Sequence, residues 1–124
     1  MSNPSKRRGT DAEVKLLAWL HGNGHPDAVR NPPAGTKDVG DLRLWVDGQE
    51  DPEGWVTAVP CVIEVKNHAN LATAINDGLA ELDAEIHNAG TEHGVLVVKR
   101  RGKGDPGEWL AIRRVRNDPE IGAL

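Results

Sequence analysis

Residues 61–66, Cys-Val-Ile-Glu-Val-Lys, constrain the fold of this chain more than any other stretch. Cys61, Val62, Ile63 and Val65 are the apolar residues from which a buried strand is built. Side chains alternate along a strand, so Cys61, Ile63 and Val65 share one face while Val62, Glu64 and Lys66 share the other. Glu64 and Lys66 then stand about 6.5–7 Å apart and point the same way. One face of this strand belongs to a core, and the other carries an acid beside a base.

The rest of the chain supplies what such a strand pairs with. A length of 124 residues is enough for one core and too short for two. Asp11 to His21 reads as a helix, with Thr10 and Glu13 as a capping box at its start and Gly22-Asn23-Gly24 ending it. Residues 28–40 read as a short strand followed by a Pro- and Gly-rich loop, and 41–46 as an alternating strand. The acidic stretch 47–54 reads as a turn into a returning strand, 55–66, where Pro60 calls for an edge position or a bulge. In 70–90, Leu71, Ile75, Leu79, Leu82 and Ile86 recur at helical spacing. Residues 94–100 and 108–115 read as two further strands. The order α-β-β-β-α-β-β describes an α/β layer fold. It is expected as one domain over residues 1–116, with a basic arm at 1–9, a loose tail at 117–124, and the helix 70–90 packed behind the sheet.

Charge and composition bear on the partner. No apolar run approaches the roughly 18–20 residues needed to span a bilayer, and the N-terminus lacks the apolar stretch of a signal peptide. A single cysteine, Cys61, suits a reducing, cytoplasmic setting. The net charge of −4 weighs only mildly against a nucleic-acid partner, because the arrangement of charge matters more than its sum. Basic residues cluster at 6–8, 99–103 and 113–116, and acids at 47–53 and 77–85. Each run on its own is explained equally well as a solvated face.

If the strands at 41–46 and 55–66 form a hairpin, Asp41 lies near the Glu64 end of its partner. Two carboxylates suit Mg²⁺ or Mn²⁺, which take oxygen ligands. A lysine beside them can orient a water or steady the charge that develops during attack on phosphorus. The plain alternative is an ion pair on a solvated sheet face.

The sequence around Glu13, the loop ending in "GTKDVGDLRL", the "VIEVK" strand and "HGVLVVKRR", in that order, resembles the PD-(D/E)XK nuclease superfamily. It is most similar to the Holliday-junction resolvases of archaeal and phage type, over about residues 6–101. The resemblance implies a restriction-endonuclease-like mixed central sheet flanked by helices. It also implies a helix glutamate at Glu13, metal-binding carboxylates at Asp41 and Glu64, a catalytic lysine at Lys66, and the Val65 backbone carbonyl in the metal shell. Thr36 resembles a hydroxyl residue that some resolvases carry in this loop. Two departures stand out: Gly40 occupies the place of the motif proline, and Asp38 lies three residues before Asp41. Asp41 is favoured because it opens an alternating strand. Glu13 keeps its competing reading as the capping acid.

The expectation is therefore a Mg²⁺-dependent endodeoxyribonuclease acting on branched DNA, with Mn²⁺ able to substitute and no membrane partner. Two symmetric cuts imply a homodimer. Lys6, Arg7, Arg8, Arg30, Lys37, Lys99, Arg100, Arg101 and Lys103 are the expected phosphate contacts. The alternatives are a nuclease of the same fold acting on duplex, flap or single-stranded DNA, and a non-catalytic DNA-binding module. His68 is read as a surface residue, Cys61 as inert packing, and the four tryptophans as core or rim.

Overall fold

The central strand, β3 (Val56–Lys66), has a strand on each side and a helix over each face. The computed structural model describes residues 4–32 and 38–122. It is a mixed α/β fold of two helices and a five-stranded mixed sheet. The strands lie in the order β1 (Val29–Arg30), β2 (Leu42–Glu50), β3, β4 (His93–Val98) and β5 (Leu110–Ile112). β3 and β4 are parallel and all other pairs are antiparallel. A parallel pair needs a crossover, which α2 (Leu71–Ala89) supplies. Two short 3₁₀ turns, Pro106–Glu108 and Val115–Asn117, complete the regular structure among the described residues. Among the described residues, no helix is long and apolar enough to cross a membrane.

Strand alternation divides the interior into two layers. Helix α1 (Pro4–Gly22) lays Ala12, Leu16 and Leu20 on Leu42, Leu44, Cys61, Ile63, Val65, Val95, Val97 and Trp109. On the opposite face, Ala74, Leu82 and Ile86 of α2 pack on Val62, Leu96 and Val98. Helix 70–90 therefore does not pack behind the sheet. It covers the face that carries Glu64 and Lys66, as the α2 crossover from β3 to β4 runs over that side.

Several boundaries also move. α1 begins at Pro4, so residues expected as a basic arm form its first turns. Proline suits the first helical position, and Lys and Arg are good helix formers. Thr10 and Glu13 are consequently interior, and the capping box does not form. β2 runs on to Glu50, and the turn tightens to 51–54, where Asp51 Oδ1 accepts from the amides of Glu53 and Trp55 at 3.0 and 2.8 Å. The ribbon made by residues 47–58 is largely exposed, with Trp55 at 73%.

Pro60 sits in the central strand but at a point where β3 is still a local edge, as expected for a proline. The Ile63 carbonyl accepts from Asp41 and the Lys66 carbonyl from Lys99, so odd-numbered residues of β3 bond toward β2 and even-numbered ones toward β4. Pro60 thus turns its missing N–H toward β4, which begins only opposite Cys61. The Pro60 carbonyl on that side accepts from Thr91 Oγ1 at 2.7 Å. No ladder bond is lost.

The side chain of Asn70 caps α2 by accepting from the Thr73 amide, and Gly90 ends it in the left-handed region. Its buried face is Ala74, Gly78, Leu82, Glu85 and Ile86, rolled away from the expected stripe, with Leu71 left exposed. Gly78 permits the close approach, since a Cβ there would lie 2.5 Å from Leu96 Cδ1. Leu96 is wholly buried and has nowhere to move. Gly78→Ala should therefore lower stability by ~1–3 kcal/mol in urea unfolding, despite the better helix propensity of alanine.

Candidate functional site

The β2–β3 ladder stops at the Leu42–Ile63 pair, and a side chain carries its pattern further. The Asp41 amide donates to the Ile63 carbonyl at 3.0 Å. The next strand amide, Val65 N–H, donates to Asp41 Oδ2 at 2.8 Å. A carboxylate thus replaces a backbone carbonyl, and the two strands part around it. The N–H and C=O of a strand residue point to the same side, so the Val65 carbonyl faces this parting.

Gly40 sets the turn into Asp41, with φ 97° and a would-be Cβ only 2.6 Å from Val62 Cγ1. Proline, fixed near φ −65°, cannot adopt this geometry.

Glu64 is buried at 5% exposure, and Glu85 of α2 at 1%. Glu64 lies within hydrogen-bonding reach of both Glu85 and Asp41. Burial first, then these contacts and the neighbouring negative charges, hold the Glu64 carboxyl far above the ordinary carboxylate range. Burial also raises Glu85, with Asp38 and Asp41 adding to it, although the hydrogen bond with Glu64 pulls the other way. The Glu85 Oε1 atom is buried without a hydrogen-bond partner. Among the described residues, neither Glu64 nor Glu85 forms a salt bridge.

Glu13 approaches from α1. Burial and the Asp41 charge raise its carboxyl, against the lowering effect of Arg30, whose Nε lies 3.1 Å from Glu13 Oε1. With its capping box unformed, Glu13 is directed to the sheet. Lys66 pairs with Glu81 of α2 at 2.7 Å, rather than with Glu64. Burial works to lower the Lys66 ammonium, but Glu81, then Glu64 and Asp41, hold it above its usual value. Asp38 is exposed, with its Oδ1 accepting from the Gly40 amide at 2.9 Å, yet it still acts on Glu85.

The structure thus brings together Glu13, Asp41, Glu64, Val65 and Lys66. It adds Glu85 and Glu81, which the sequence reading missed. Glu85 gave little signal, since it lies beside the expected apolar stripe rather than within it and is buried because the helix rolls toward Ala74 and Gly78. Glu81 had none. In chemistry, the carboxylates suit a hard divalent cation, and the orphaned Glu85 oxygen is an unused acceptor. Among the described residues, however, no three His, Cys, Asp or Glu side chains stand as a ready metal shell.

Beside this cluster, a cleft of ≈ 460 Å³ opens at the carboxyl ends of β3 and β4. Asp11, Asn67, His68, Lys99, Arg100 and Arg101 line it. Of the expected phosphate contacts, Lys99, Arg100 and Arg101 are therefore gathered, with Lys99 Nζ 5.9 Å from the Trp109 ring centroid. Arg30 is engaged with Glu13, and Lys103 lies 4.0 Å from Glu108. Lys6, Arg7 and Arg8 lie in the first turns of α1. Thr36 and Lys37 fall outside the described residues. His68 is exposed, with its Nδ1 accepting from the Asn70 amide at 3.0 Å. Cys61 is buried on the α1 face, and burial raises its thiol. Trp109 belongs to the core, whereas Trp45 and Trp55 are exposed. The chain matches no protein-family model, no curated protein and no solved structure.

A carboxyl raised on folding binds protons that the unfolded chain has already released, so stability falls as pH climbs. Glu64 and Glu85 make that loss begin just above the ordinary carboxylate value of 4.5. In EDTA, the melting temperature should drop between about pH 5 and pH 8. Glu85→Gln should flatten the drop and melt higher than the wild type at the alkaline end. An unchanged slope in Glu85→Gln would show that the two acids are not coupled.

Proposed function

We propose that this protein is a metal-dependent endodeoxyribonuclease of restriction-endonuclease-like fold, cutting branched DNA in the manner of a Holliday-junction resolvase. One observation carries the reading. Glu13, Asp41, Glu64 and Lys66, drawn from a helix and two strands, meet where β2 and β3 part, next to a basic cleft. An ion pair on a solvated face accounts for none of this, because Glu64 is buried and Lys66 is paired elsewhere.

Asp41, Glu64 and the Val65 carbonyl would hold Mg²⁺ or Mn²⁺, all hard oxygen donors. When bound, the cation would supply Lewis-acid stabilisation and a more acidic water. The chain's own groups do the rest. Asp41 is held in one orientation by the Val65 amide. Lys66 feels the charges of Glu64 and Asp41, and its ion pair with Glu81 limits where its ammonium can go. Lys99, Arg100 and Arg101 would bind the phosphate backbone without reading its sequence. A pair of cuts on a four-way junction requires two such sites, hence a homodimer.

Cleavage of junction, flap, duplex and single-stranded DNA in Mg²⁺ by the wild type tests the reading directly. Asp41→Asn and Glu64→Gln should bind junctions and fail to cut them. Lys66→Ala should slow single-turnover cleavage by about a hundredfold or more while leaving the melting temperature within a few degrees. Cutting at the wild-type rate by either carboxylate variant would remove the assignment. A preference for flaps or duplex would keep the chemistry and change the substrate.

Salt offers an independent check on the partner. With ~6–10 phosphate contacts, junction affinity should fall on the order of a thousandfold or more between about 50 and 200 mM salt, as counterions are released. Filter binding or fluorescence anisotropy measures this. A flat dependence would leave the basic cleft without a role in DNA binding.

A further inference from the structure

Glu85 is the least expected residue in the molecule. Its helix face is otherwise Ala74, Gly78, Leu82 and Ile86, packed dry against the sheet. A carboxylate in such a layer carries a desolvation cost that an apolar residue of similar size avoids. Its Oε1 is buried with no partner, and neither it nor Glu64 has a basic residue in a salt bridge among the described residues. The Lys66 ammonium is committed to Glu81, one turn back on the same helix. What Glu85 does have is acids: Glu64 and Asp38 within hydrogen-bonding reach, and Asp41 close enough to act on it through its charge.

Buried carboxyls gathered in this way are stable in two conditions, with protons between them or with a cation between them. Glu85, 1% exposed, has its Oε1 buried without a partner. A divalent cation would give that oxygen one. We propose that Glu85 is a divalent-cation ligand, joining Asp41 and Glu64 across the β3–α2 layer so that the metal is held between sheet and helix. The occupant is a hard cation of the Mg²⁺ or Mn²⁺ class, because every donor is an oxygen. The inference rests on the reading of Asp41 and Glu64 as metal ligands but does not depend on which DNA is cut. It gives α2 a part in binding and explains why a helix packs over the acidic face.

Mn²⁺ binding without DNA, followed by electron paramagnetic resonance and by the metal-dependent rise in melting temperature, tests it. The wild type should bind Mn²⁺, and Asp41→Asn and Glu64→Gln should lose that binding. Glu85→Gln, nearly the same shape, should weaken it about 10–100-fold, while Asp83→Asn on the same helix should bind as the wild type does. Melting in EDTA establishes that each variant is folded. In the wild type, Mg²⁺ should also move the carbon-13 side-chain carboxyl resonances of Asp41, Glu64 and Glu85 with one apparent Kd. This readout decides the matter even if Glu85→Gln fails to fold. If the wild type binds no better than Asp41→Asn, the metal reading itself fails, and this inference with it. If wild type and Glu85→Gln bind equally, or the Glu85 resonance stays in place, Glu85 is a proton acceptor only and the nuclease reading stands without it.

Discussion

A carboxyl group in a dry layer is the constraint around which this structure is arranged. β3 is covered on both faces, so Glu64 cannot reach bulk water, and burying a carboxylate alone is prohibitive. The chain answers with proximity. Asp41 comes from the parting of β2 and β3 and Glu85 from α2, and their nearness adds to burial in holding the Glu64 carboxyl far above the ordinary range. The parting depends on the same choice, since β2 ceases to pair as a strand where Asp41 takes over from the backbone. Gly40 makes the turn into Asp41 possible, and Gly78 brings α2 close enough to deliver Glu85. Two glycines thus set the geometry of three acids.

Much of this was legible in the sequence. Alternation along 61–66 placed Cys61, Ile63 and Val65 together, and hairpin logic brought Asp41 to Glu64. The mixed α/β character followed from the order of periodicities. What failed did so for identifiable reasons. The start of α1 was misplaced because a capping-box pattern at Thr10 and Glu13 outweighed the helix propensity of the basic residues before it. The edge position expected of Pro60 holds locally, because β4 begins one residue later, although the strand as a whole is central. The side covered by α2 was misjudged because one-sided burial was assumed for a strand with an E-x-K face. A parallel partner, invisible in local pattern, makes both sides interior.

The misjudged side also altered the meaning of Lys66. On an open face, its natural partner would be Glu64, two residues away. Under α2, it meets Glu81, and Glu64 is left to the acids. Neither outcome follows from the tripeptide Glu64-Val65-Lys66 alone, because pairing is decided by the helix that arrives from elsewhere in the chain. The basic residues behave alike. Three of the expected phosphate contacts line one cleft, while Arg30, equally basic in sequence, is committed to Glu13.

The parallel pairing of β3 with β4 has a further consequence, in the order of assembly. The β2–β3 hairpin joins neighbours in sequence and closes a short loop, whereas β4 can pair with β3 only after the whole of α2 has crossed the sheet. Glu13, Asp41, Glu64 and Glu85 lie on four segments, and no two successive acids among them are fewer than twenty-one residues apart. The cluster therefore has no local precursor. A nascent chain that has made the hairpin holds Asp41 and Glu64 in an open, wet setting, and only the docking of α2 turns them into a buried site.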